Sequence, residues 1–207
     1  MTEKTTGWRA VLSTPWVYEL AQKLVGARRG MKFVVDCYIA PRPGESLLDI
    51  GCGPGGLVPL LPDVRYVGFD HSAAYVAEAQ ATHGHRGTFI CGDVSEFADY
   101  AESAFDIAVA YGVLHHLDDA QVAGLFATAH RALKPGGRMV TADPCYFAGQ
   151  DPITRFVSSR DRGQNVRTVP RYLELARQSF PDANAVIMHG YLPFPYAACV
   201  MSMHRAA

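Results

Sequence analysis

Charge is scarce in this chain and almost balanced. Charged residues make up 19% of the 207 positions and leave a formal net charge of −1 at pH 7, so bulk attraction to nucleic acid or to an anionic membrane is excluded. Long apolar runs are missing as well. No stretch approaches the roughly 18 uninterrupted apolar residues of a membrane span, and the N-terminus lacks the charged-then-apolar pattern of a secretory signal; a cytoplasmic place is expected. The five cysteines, Cys37, Cys52, Cys91, Cys145 and Cys199, are odd in number and form no close pairs, which argues against a disulfide framework or a zinc site and predicts buried free thiols. No carboxylate and histidine cluster has metal-ligand spacing, so no metal is expected. Repeats, low-complexity tracts and Ser/Gly linkers are also absent. With 49% hydrophobic residues, the chain predicts one ordinary globular domain over 1–207.

Glycine, by contrast, is concentrated. The segment Leu47 to Gly56 reads LLDIGCGPGG, an apolar run ending in Asp49 that opens onto four glycines. Gly51, Gly53, Gly55 and Gly56 let a turn take positive φ and bring bare backbone against a ligand. Gly51, Gly53 and Gly56 also satisfy the dinucleotide fingerprint G-x-G-x-x-G, with Asp70 about 20 residues on. That match alone is weak, and the rest of the chain decides it.

Short β-rich apolar runs alternate with longer amphipathic ones, the pattern of an α/β, Rossmann-like, doubly wound sheet with helices on both faces. Strands are predicted at 46–50, 65–69, 87–91, 107–110 and 138–142, with two more near 185–189 and 196–203, giving seven, mostly parallel and the last antiparallel. Helices are predicted over 57–61 (cut by Pro59 and Pro62), 72–83 with Ser72 as N-cap, 118–133 ended by the Pro135, Gly136, Gly137 turn, and 170–179. An aromatic-rich helical region over 16–39 gives an N-terminal cap (1–43), followed by a core (44–143) and a final segment (144–207).

In such a sheet, ligands bind beyond the carboxyl ends of the strands, so the polar residues there should converge. Those ends are Asp49 with the glycine turn, Asp70, Gly92 with Asp93, and Tyr111 to Gly112 followed by His115 and His116. Three carboxylates around one glycine loop would repel phosphate. They suit a ligand with hydroxyls, an amino group and a cation.

Five blocks in order, LLDIGCGPGG, YVGFDHS, FICGDVSEF, FDIAVAYGVLHHLDD and ALKPGGRMVTAD, resemble those of small, single-domain class I S-adenosylmethionine-dependent methyltransferases (type 11/12-like). The resemblance covers about Glu45 to Asp143. It implies that Asp49 and the turn Gly51, Cys52, Gly53 and Gly55 receive the methionine part of the cofactor, with Asp70 on the ribose hydroxyls and His71 beside it. It implies further that Asp93 accepts from the adenine amino group, that Val94 and Phe69 face the ring, and that Ala110 and Tyr111 border the sulfonium. The product would be S-adenosylhomocysteine. His71 stands where many relatives carry a small or hydrophobic residue. The dinucleotide reading leaves Asp49, Asp93 and the LHHL block without a role.

Methyl transfer is an in-line displacement that needs a nucleophile held about 3 Å from the methyl carbon. A hydroxyl or activated carbon must first lose a proton, for which a histidine is suited. His115 and His116 are the candidates, not separable from sequence, and either one alternatively holds loop backbone. Asp143 and Tyr146 end the fifth strand where an acceptor would enter, with Asp143 orienting it or capping the loop, whereas Cys145 lacks a partner base. Arginines after that strand, Arg160, Arg162 and Arg167 among them, are candidates to grip an anionic acceptor unless they pair with surface acids. Tyr18 and other aromatics form a lid or join the core. The sequence thus predicts a methyltransferase of a small-molecule acceptor, oxygen preferred. The alternatives are a non-catalytic cofactor-binding module and a nucleic-acid methyltransferase; the second is opposed by the charge and by AYGV in place of an N-P-P-Y type tetrad.

Overall fold

Strand β1 (Ser46–Ile50) is buried at every position, because it lies inside a sheet covered on both faces. The computed structural model describes residues 27–92, 102–160, 163–189 and 196–207. In it β1 pairs in parallel with β2 (Arg65–Asp70) and β4 (Phe105–Tyr111). β3 (Gly87–Cys91) extends one side; β5 (Leu133–Tyr146), β7 (Asn184–His189) and β8 (Ala197–His204) extend the other. The order is β3-β2-β1-β4-β5-β8-β7, with β8 antiparallel to both neighbours. These are the seven expected strands, mostly parallel with the last antiparallel. A two-residue strand, β6 (Arg167–Thr168), adds an eighth by pairing with the end of β5. The order reverses between β1 and β4, which places a crevice above their carboxyl ends.

The side chains of β1 alternate between two apolar clusters. Leu48 and Ile50 join Phe126, Leu125, Tyr172 and Phe180 on one face, against α3 (Asp119–Ala132) and α5 (Val169–Ala176). Leu47 joins Val34, Val35, Ile39 and Ala79 on the other, against α1 (Ala27–Val34) and α2 (Ala73–His83). Helix starts follow local chemistry. Ser72 accepts from the Tyr75 amide to cap α2, and Asp118 with Gln121 forms a capping box on α3.

Several expectations are corrected. The Pro-Gly-Gly turn does not end α3: the chain passes straight into β5 at Leu133, opposite Phe105, and residues 134–137 form an irregularity within the strand. Lys134 Nζ lies 2.8 and 2.9 Å from the Asp106 carboxylate oxygens, and Arg205 exchanges backbone bonds with Gly136 and Gly137. The helix expected at 57–61 shrinks to a 3₁₀ turn, Val58–Leu60. Helix α4 (Pro152–Ser159) was not anticipated; Asp151 caps it, accepting from the Ile153 and Thr154 amides. Of the expected cap, α1 and a π turn over Val35–Ile39 are present, and 16–26 lie outside the described residues. Cys52, Cys145 and Cys199 are buried free thiols, whereas Cys37 and Cys91 are exposed.

Candidate active site

The glycine loop after β1 folds back onto β2. The amides of Gly51 and Cys52 donate to the Phe69 carbonyl at 2.7 and 3.0 Å. Gly51 has φ +74°, and a Cβ there would stand 2.5 Å from Val113 Cγ2, so only glycine fits this bend. Above Gly53 no heavy atom lies within 4 Å of where a Cβ would be; the loop presents bare backbone to open space.

Asp70, at the tip of β2, ties this loop to the head of α2. Its Oδ2 accepts from the Gly53 amide at 2.9 Å and its Oδ1 from the Ser72 amide at 2.8 Å. A carboxylate offers about four lone-pair sites, so each oxygen retains capacity for a further donor such as a hydroxyl. His71 is exposed, with Nδ1 3.6 Å from Asp70 Oδ1. Asp93 and Val94 lie outside the described residues.

Asp49 is only 2% exposed and accepts from the Tyr66 hydroxyl at 2.6 Å. Tyr66 stands opposite Leu47 in the β1–β2 register and reaches Asp49 past Gly68, where a Cβ would meet Tyr66 Cε1 and Cys52 Sγ, both at 2.9 Å. Burial pushes the Asp49 carboxyl up to about 7, partly offset by the Tyr66 bond and reinforced by the charge of Asp70. A buried acid poised this way is stabilised in its ionised form by an incoming cation.

On the other side of the crevice, Leu114–His116 forms a single 3₁₀ turn after β4. His115 Nδ1 lies 2.8 Å from Asp143 Oδ1, and the His115 amide donates to the same oxygen at 3.2 Å. An ionised carboxylate only accepts, so Nδ1 carries the hydrogen and the basic lone pair falls on Nε2. Asp143 Oδ2 is buried and has no hydrogen-bond partner among the described residues. His116 is exposed and packs its ring 4.1 Å from that of His115, centroid to centroid. The Asn165 amide donates to the His115 carbonyl at 3.0 Å, and Gly163 lies so close that a Cβ would collide with His115 Cδ2 and its carbonyl oxygen. Replacing Gly163 with Ala should therefore displace the imidazole and cost about 1–3 kcal/mol of stability by overpacking. Thermal unfolding checks this; an unchanged melting temperature would show that the loop yields freely.

His115, Asp143, Tyr111 and Gly112 share a cleft of about 60 Å³ with Val34, Ala142, Pro144, Met188, Tyr196 and Ala198. Burial, then the charge of Asp143, pushes the Tyr111 phenol up to about 12, so it stays protonated. Ala110 is fully buried one residue below. Burial likewise pushes the Cys145 thiol up to about 12, which leaves it inert as a nucleophile.

Arg160 and Arg167 both have partners within the chain. Arg167 is buried, and its guanidinium donates to Asp119 Oδ1 and to the carbonyls of Leu114, Asn165 and Leu117 at 2.7–3.0 Å. These bonds hold the histidine turn against α3. Arg160 stacks 5.0 Å over the Phe156 ring. Tyr146 carries Arg155 over its ring and borders a separate groove with Pro152, Phe156 and Ser159. Arg162 and Tyr18 lie outside the described residues. Tyr66 was missed from sequence, because its role depends on inter-strand register.

A mostly parallel sheet with a glycine bend and two acids at its switch point is the arrangement expected of a class I methyltransferase fold. Residues 47–137 match the family model described as a methyltransferase domain. An uncharacterised methyltransferase of Synechocystis is 30% identical over 135 residues, covering 62% of this chain and 63% of that protein. An O-methyltransferase of Aspergillus sclerotiorum is 32% identical over 55% of this chain and 45% of its own length. The chain thus spans less than two thirds of these curated relatives. Among solved structures, a Haemonchus contortus phosphoethanolamine N-methyltransferase in complex with phosphomonomethylethanolamine and S-adenosylhomocysteine superposes with a TM-score of 0.74 at 16% identity, covering 99% of this chain and 62% of that one. That likeness establishes the fold.

Proposed function

We propose that the chain is an S-adenosylmethionine-dependent methyltransferase of a small-molecule acceptor, working as one domain with its cofactor core at 44–143. The observation that carries this reading is the pairing of two features across one crevice: Asp49 and Asp70 around a bare-backbone bend, and a histidine oriented by a buried carboxylate. The bend and acids fit the donor: open space above Gly53, remaining acceptor capacity on Asp70 for ribose hydroxyls, and a buried Asp49 that gains from a nearby ammonium or sulfonium. A pyrophosphate in the same place would meet two carboxylates.

The donor, when bound, supplies an electrophilic methyl group. The chain's own work is to hold the acceptor in line with it, exclude water, and take up the acceptor's proton at His115, with Asp143 fixing the ring and stabilising its cationic form. His116 packs on that ring. The dyad serves a hydroxyl or an amine alike, so its geometry gives the oxygen preference drawn from sequence no support. The reading is tested by incubating the protein with methyl-labelled donor and a panel of small hydroxyl, amine and carboxylate acceptors. Label transfer to any one supports it; cofactor binding without transfer to any would leave a non-catalytic module.

Asp49 gives this reading a pH signature. Its folded pKa is raised to about 7 from 3.8, so the folded state holds its proton more tightly than the unfolded chain. Its contribution to stability is present below about 4 and is lost as pH rises to about 7. Cation binding has the opposite sense: below pH 7 the site must release a proton first, and donor affinity should fall by up to about tenfold per unit. Asp49→Asn keeps the acceptor for Tyr66, should raise the melting temperature of the cofactor-free protein at pH 8, and should weaken donor binding with a flat pH profile. Calorimetry from pH 5.5 to 8.5 decides the matter; parallel pH profiles for the two proteins would refute it.

A further inference from the structure

We infer that the acceptor presents an amine to this site, and that Asp143 Oδ2 receives its N–H; this rests on the methyltransferase reading above. The starting point is an asymmetry. Asp143 Oδ1 accepts from both the ring and the amide of His115, whereas Oδ2 of the same 2% exposed carboxylate has no partner among the described residues. A buried carboxylate oxygen left unpaired is costly, and Asp143 stands on the wall of a cleft, so a bound molecule is the natural source of the missing donor.

The surroundings select the chemistry. The cleft around Asp143 is walled by Val34, Ala142, Met188 and Ala198, with phenol groups from Tyr111 and Tyr196, and has no lysine or arginine among its described lining residues. Among those described residues only His115, when protonated, would balance the carboxylate. An anionic acceptor would be repelled, and an ether or thioether would leave Oδ2 unpaired. An amine offers an N–H at every stage. Bound as an ammonium, it gives one proton to His115 and keeps others for Oδ2. The neutral nitrogen then bonds to the methyl carbon as the carbon–sulfur bond breaks, with the bonding pair staying on sulfur. The positive charge therefore moves from sulfur to nitrogen. A desolvated carboxylate beside that nitrogen stabilises the charge where it develops. Methylation of a deprotonated hydroxyl would end with a neutral ether and draw no such benefit.

Three probes of matched size test this by calorimetry at pH 8, each with and without saturating S-adenosylhomocysteine: benzylamine, benzyl alcohol and benzoate. The amine should bind at least about tenfold tighter than the alcohol, with benzoate weakest, as expected for a site built around a buried hydrogen-bonding group. In Asp143→Asn the amine preference should shrink to within about twofold. Equal affinities for amine and alcohol in the unmodified protein, or no amine binding, would overturn the inference even if Asp143→Asn failed to fold. Absence of S-adenosylhomocysteine binding would instead strike at the methyltransferase reading, and the probe titrations without it still judge Asp143 separately.

Discussion

His115→Ala should lower the rate of methyl transfer by about 10²–10⁴-fold, the usual worth of a positioned proton acceptor, while the affinity for the donor changes little. The separation follows from the layout. Asp49 and Asp70 lie on the β1–β2 side of the crevice, whereas His115, on the turn after β4, bonds to Asp143 of β5 and packs on His116. Loss of the imidazole also strips Asp143 Oδ1 of both a packed neighbour and one N–H, so some loss of stability accompanies it. Asp143→Asn distinguishes orientation from charge: its oxygen can keep both bonds to His115, so the ring stays held while the negative charge that stabilises its cationic form is lost. Its single-turnover rate should therefore fall with that of His115→Ala, and the double variant should be no worse than the worse single one. Rates at the wild-type level in both variants would mean that the dyad only anchors the turn.

Asp70→Ala should raise the Kd for the donor by about 10²–10⁴-fold, since hydrogen bonds to a charged group contribute about 1.5–3 kcal/mol each and the ribose would lose two. A second effect acts in the same direction. The carboxylate holds the Gly53 and Ser72 amides at 2.9 and 2.8 Å, so its removal frees the glycine bend from the head of α2 and raises the ordering cost of binding. Asp70→Asn can keep only one of those bonds through its single oxygen and should fall between. Titration of the three proteins with S-adenosylhomocysteine measures this; a change below threefold for Asp70→Ala would place the ribose elsewhere.

How far the residues announced this arrangement depended on whether the deciding interaction was local. The bounds of β1 and β3 follow from apolar runs closed by glycine or proline, and Ser72 and Asp118 cap their helices through bonds only three residues long. The residues 134–137 misled because Pro-Gly-Gly is turn chemistry, whereas here it is an irregularity held by Asp106 and Arg205 from distant strands. Helix α4 was obscured by its short length and by the arginines around it, though the Asp151-Pro152 start was a readable signal. That Asp49, Asp70 and the glycine bend lie together could be read from sequence because strand ends converge by topology. Choosing His115 over His116 required the partner, Asp143, 28 residues away. Arg167 looked like a ligand for anions because its charge was visible in the sequence, and the three carbonyls and the carboxylate that occupy its guanidinium were not.

The central claim is that acids at neighbouring strand tips, set about a bare-backbone turn, form a berth for a positively charged methyl donor. Isothermal titration of the wild-type protein at pH 8 with S-adenosylmethionine, and in parallel with NAD, tests it most directly. Saturable one-to-one binding of S-adenosylmethionine and none of NAD is the predicted result. Heat from NAD alone, or from neither, would contradict the account.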